Sequence, residues 1–124
     1  MLRSVAVIFL FVVTAIPSHA FIAQNSLVVE PIGEGKFEVP YRGLSGTPDF
    51  WCAAGDYVVR GLNLPPSTRI YRTSSSPRRS GQGVSFSLSE KGAKTTGLLF
   101  YIGGRGLTAG HARHLCEAKQ LSRE

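Results

Sequence analysis

Past residue 20 the sequence has no long apolar run, so no second membrane-spanning helix is expected. It has no Cys-x-x-Cys pair, which removes both a thioredoxin-type redox motif and a zinc ribbon from consideration. No serine stands in a Gly-x-Ser-x-Gly nucleophile elbow, and of three histidines only His111 and His114 follow residue 20. Acidic side chains are few, eight against fourteen Lys and Arg for a formal charge of +6, and this leaves little material for paired-carboxylate catalysis. No internal repeat of solenoid length is present.

What is there begins with MLRSVAVIFLFVVTAIPSHA. Arg3 supplies a short positive region, Val5 to Ile16 an apolar stretch too short to span a bilayer comfortably, and Pro17 a break before Ser18-His19-Ala20. The last three residues match the small-x-small pattern cut by signal peptidases, so residues 1–20 read as a cleavable export signal and Phe21 as the first residue of the product. A retained anchor is the alternative, and it usually lacks the proline and the small-residue site. With no cysteine near the cut, the lipid anchor of a lipoprotein is not expected. Removing the first 20 of 124 residues leaves 104, enough for one domain; without Arg3, 13 basic residues face 8 acidic ones for a charge near +5.

Cys52 and Cys116 both follow the signal, and an even number in an oxidising compartment reads as one disulfide. Closing a loop of roughly 65 residues restricts the unfolded chain by about 4 kcal/mol in the chain-entropy model. Metal ligation by Cys116 with His111 and His114 lacks a convincing completing ligand, so no metal and no cofactor is expected.

Residues 26–31 and 36–41 are β-prone runs around Gly33 and Gly35, which predicts a hairpin; Pro40 suggests that its second strand is an outer one. Thr47-Pro48-Asp49 reads as a helix start capped by the Thr47 hydroxyl, with the helix over about 48–61. Phe50, Ala53, Ala54, Tyr57, Val58 and Leu62 approximate one buried stripe, leaving Asp49, Asp56 and Arg60 for water. Strands are predicted over 68–73, 84–89 and 98–102, and a second helix over 108–121 capped by Thr108. The order β-β-α-β-β-β-α predicts an α+β fold: an antiparallel sheet of about five strands with two helices on one face, joined by the disulfide. A small all-β barrel with helical decoration is the second choice.

Two stretches invite a functional reading. Gly104-Arg105-Gly106-Leu107-Thr108-Ala109 fits the dinucleotide-binding Gly-x-Gly-x-x-Ala turn, but the chain ends after the following helix, without the parallel strand and acid that a Rossmann unit needs. A narrower possibility is an anion held by the helix-start amides with Arg105. The second is the basic segment with Arg69, Arg72, Arg78 and Arg79, where Tyr71 falls on the opposite strand face from Arg72. A solvated loop that aids solubility is the plainer reading of Arg78 and Arg79.

The residues Asp49-Phe50-Trp51-Cys52-Ala53-Ala54-Gly55-Asp56-Tyr57, Thr68-Arg69-Ile70-Tyr71 and Gly110-His111-Ala112-Arg113-His114-Leu115-Cys116 resemble small exported proteins of alphaproteobacteria whose function is uncharacterised. That resemblance implies a periplasmic location and no particular chemistry. The expectation is therefore a periplasmic or secreted, non-enzymatic binding or accessory module. Its candidate anion-binding residues are Arg69, Arg72, Arg78, Arg79 and Arg105, and its partner an acidic protein, glycan or lipid head group rather than nucleic acid. The alternatives are a small hydrolase or transferase using His111 or His114 as base, and a structural envelope protein.

Overall fold

The computed structural model describes residues 4–12, 20–43, 45–98 and 105–121, the last four by backbone alone. Strands β1 (Phe21–Ile22), β2 (Val28–Gly33) and β3 (Lys36–Val39) lead into helix α1 (Thr47–Asp56) and a π-helical turn over Tyr57–Gly61. Strands β4 (Arg69–Arg72), β5 (Val84–Ser87) and β6 (Leu107–Thr108) follow, then helix α2 (Ala109–Leu121). The strands form one antiparallel sheet in the order β1-β2-β3-β5-β4-β6, on which the helices pack. The fold is α+β, with six strands where about five are expected from sequence. Most of the strand predicted over 98–102 lies outside the described residues; Leu98 itself is buried.

Alternation builds the sheet. Phe37 opposes Phe86, Val39 opposes Val84 and Ile70 opposes Leu107, so that all six side chains share the covered face. Gly35 turns the β2–β3 hairpin at φ 65°, a conformation that costs a side-chain-bearing residue more. The expectation that β3 is an outer strand is wrong. β3 lies between β2 and β5, and Pro40 is accommodated because pairing stops at Val39.

α1 supplies the centre of the core. Trp51 meets Phe86 edge-on at 4.9 Å between ring centroids, and Tyr57 meets Phe37 at 4.8 Å. Trp51 Nε1 donates to the Thr96 carbonyl at 2.9 Å, so its one polar atom is satisfied in the interior. Every residue from Phe50 to Asp56 is buried, because α2 covers the side of α1 turned away from the sheet. Periodicity misassigns two positions for this reason: Asp56 is fully buried, whereas Leu62 is partly exposed. The cap also differs by one residue. Gly46 is the N-cap, and the Asp49 Oδ2 accepts from its N–H at 2.8 Å; Thr47 is already helical.

The helices approach closely at Gly55, where an added Cβ would stand 2.7 Å from the Ala109 carbonyl and 2.8 Å from the Ala112 Cβ. One step away the Cys52–Cys116 disulfide joins α1 to α2 across 64 positions. Thr108 caps α2 as predicted, its Oγ1 accepting from the His111 N–H at 3.2 Å. No helix among the described residues is long and apolar enough to cross a membrane.

Candidate functional site

The β4–β5 connection, residues 73–83, arches over one end of the sheet. Glu38 and Ser85 are register partners on β3 and β5, and their face is the one that the helices leave uncovered. With Ser74, Ser75, Pro77, Arg78, Arg79, Gly81, Gln82 and Gly83 they line an open groove of about 540 Å³. Thr73 donates from its N–H to Ser85 O at 2.8 Å, and Ser85 donates from its N–H to Ser74 Oγ at 3.1 Å, fastening the start of the loop to β5.

The three arginines of this region have three different roles. Arg72 shares the covered face of β4 with Ile70 and is 1% exposed. Its Nε, Nη1 and Nη2 donate to the carbonyls of Ser74 (3.1 Å), Thr96 (3.3 Å) and Ser75 (3.1 Å). Burial, with the charge of Arg78 added, lowers its pKa from the ordinary arginine value. Arg72 is therefore a strut beneath the loop, out of direct reach of a ligand. Arg78 is half-buried: its guanidinium lies 4.8 Å from the Tyr41 ring centroid and 5.2 Å from that of Phe50, and Nη1 donates to Gln82 O at 2.8 Å and Arg79 O at 3.2 Å. Arg79 is exposed on the groove wall, and its guanidinium makes no hydrogen bond or ion pair within the described residues.

Arg69 and Arg105 stand apart from this groove, at the β4–β6 edge. Both are exposed, and Arg69 Nη2 donates to the backbone of Arg105 at 3.1 Å. The helix-start amides that an anion beside Arg105 would use are already committed. Ala109 and Gly110 spend their N–H groups on Thr68 O (2.7 Å) and Pro66 O (2.9 Å), and His111 donates to Thr108. β6 is antiparallel to β4, which is also incompatible with a dinucleotide-binding βαβ unit. Of the five arginines singled out in the sequence, Arg78 and Arg79 line this groove, and Arg69, Arg72 and Arg105 are not part of its lining.

A second charged cluster holds the helices to the sheet. The buried Asp56 carboxylate accepts from Arg60 Nε at 2.6 Å, from Arg60 Nη2 and from the Gln24 N–H at 2.9 Å, with Arg113 Nε at 3.5 Å. Burial by itself would raise its pKa. The Arg60 and Gln24 hydrogen bonds and the charges of Arg60 and Arg113 outweigh burial and hold the carboxyl below its ordinary 3.8. His111 and His114 occupy exposed positions on α2, and His114 Nδ1 lies 3.6 Å from Glu117 Oε2. Among the described residues no group of three or more His, Cys, Asp or Glu is placed to hold a metal ion.

Glu38, Tyr41 and Phe50 were not identified from sequence as neighbours of the basic loop. The β3–β5 pairing brings Glu38 there, and that pairing joins segments about 45 residues apart with no local signal. No protein-family model, curated protein or solved structure matches this chain.

Proposed function

We propose that the protein is exported, loses residues 1–20, and acts as a non-enzymatic binding or accessory module whose anionic ligand sits in the groove of the β4–β5 loop. The observation that carries the ligand reading is an exposed Arg79 guanidinium, with no hydrogen bond or ion pair among the described residues, on the wall of a 540 Å³ groove beside an Arg78 already immobilised by two rings and two carbonyls. A fixed cation next to a free one attracts an anion without ordering both side chains anew.

Export is supported by the amino-terminal segment. Residues 4–12 form no helix or strand, and their apolar side chains from Val5 to Val12 are 69% to 88% exposed. The packed structure begins at Phe21, whose ring lies 5.5 Å from that of Tyr57. A disulfide suits an oxidising compartment, and the resemblance to small exported alphaproteobacterial proteins agrees with a periplasmic one.

Calorimetric titration of the exported protein with an oligogalacturonate, with inorganic phosphate and with anionic lipid vesicles tests the reading. At least one probe should bind, more weakly as salt rises from about 20 to 200 mM. Arg79→Ala should reduce that affinity about tenfold or more, with melting temperature unchanged. Failure of every probe to bind, or equal binding by Arg79→Ala, would overturn it.

A further inference from the structure

The charge at the groove and beneath it narrows the ligand class, on the reading that the groove binds an anion. Three arginines converge on the loop: Arg79 on the wall, Arg78 stacked against Tyr41, and Arg72 under the Ser74 and Ser75 carbonyls. The lining sets Arg78 and Arg79 against one carboxylate, Glu38, for a net charge of +1, and Arg72 adds a positive charge from beneath the loop. Arg72 donates only to backbone carbonyls, which satisfy its N–H groups without neutralising its charge.

A carboxylate, planar and singly charged, is best held by one guanidinium presenting two parallel N–H groups. Arg78 spends only Nη1, on two carbonyls, and Arg72 donates from all three nitrogens, so among the described residues the uncommitted guanidinium edges are those of Arg79 and the Nε–Nη2 edge of Arg78. The remaining donors are single and lie around the groove: the Ser75 hydroxyl and the exposed backbone near Gly81. Two guanidinium edges on neighbouring residues, a third positive charge beneath them and dispersed single donors match a doubly charged, three-oxygen head better than a singly charged, two-oxygen one. We propose that the β4–β5 groove binds a phosphoryl monoester group, with Arg79 as the direct charged contact and Arg78 and Arg72 as the fixed positive field behind it.

Two sources share this chemistry, a soluble phosphomonoester and a phosphomonoester lipid head group. The test is amide and arginine side-chain chemical-shift mapping on the exported, disulfide-bonded protein. The titrants are inorganic phosphate, glycerol phosphate and galacturonate, alongside co-sedimentation with phosphatidic acid vesicles and phosphatidylcholine vesicles. The expected result is saturable phosphate shifts at Ser75, Arg79 and Gly81, at least tenfold tighter than galacturonate, and lost in Arg79→Ala. Arg79→Lys, which keeps the charge and loses the fork, should retain intermediate affinity. Vesicle binding at least tenfold tighter than glycerol phosphate identifies the lipid source; equal affinities identify the soluble one. Galacturonate binding in this groove as tightly as phosphate overturns the phosphoryl assignment and leaves the anion-binding reading standing. Shifts with none of the anions overturn both.

Discussion

Asp56 is the residue on which the arrangement of helices and sheet most depends. One fully buried carboxylate receives hydrogen bonds from the π-helical turn and the β1–β2 connection, with α2's Arg113 alongside. Asp56→Asn should cost about 2 to 3 kcal/mol, at the low end for a buried pair because Arg60 and Arg113 reach solvent and rehydrate. Urea unfolding at neutral pH measures this. The carboxyl titrates below its ordinary 3.8 in the folded protein, so on acidification the unfolded chain takes up this proton first. Its stabilisation is complete well above pH 3.8 and is lost as the pH falls through the lower folded value. The acid limb of the stability curve should therefore flatten in Asp56→Asn; an unchanged limb would show that other groups set it. Arg72 makes a similar point with the opposite charge. Arg72→Met should strand the Ser74 and Ser75 carbonyls, Thr96 O keeping its Trp51 donor, and cost about 2 kcal/mol, loosening the loop above it, as read by hydrogen exchange in residues 73–83.

At the scale of elements, the α1–α2 pair carries the clearest expectations. Gly55→Ala would place a methyl against Ala109 and Ala112, forcing the helices apart at a cost of about 1 to 3 kcal/mol. Reducing the link by Cys52→Ala with Cys116→Ala should remove about 4 kcal/mol, the unfolded-state restriction of a 64-residue separation, seen as a lower urea midpoint. These elements were largely legible in the sequence. The β2–β3 hairpin, both helices, the Thr108 cap and the disulfide each follow from patterns local to a few residues or from cysteine count. What escaped was set by neighbours distant in the chain. Asp56 has the spacing of a surface acid and is buried because Arg60, the β1–β2 connection and α2 close over it. Pro40 signals an edge, yet β5 pairs with β3 just short of it. The alternation that separates Tyr71 from Arg72 was read correctly, but which of the two faces inward is decided by Ile70 meeting Leu107 across the sheet. The groove was legible only as a basic loop, since Glu38 reaches it through strand pairing.

For the whole molecule, the proposed export bears most on function. It determines whether the Cys52–Cys116 bond forms and persists, and which anions the Arg79 groove encounters. Eight exposed apolar residues, Val5 to Val12, precede a packed domain that starts at Phe21, an arrangement suited to removal of residues 1–20. The most direct test is the intact mass of the protein recovered from the periplasm, alkylated with and without prior reduction. The expected result is a chain beginning at Phe21, with two thiols alkylated only after reduction. A chain that keeps residues 1–20, or one whose cysteines react without reductant, would overturn the proposal of export.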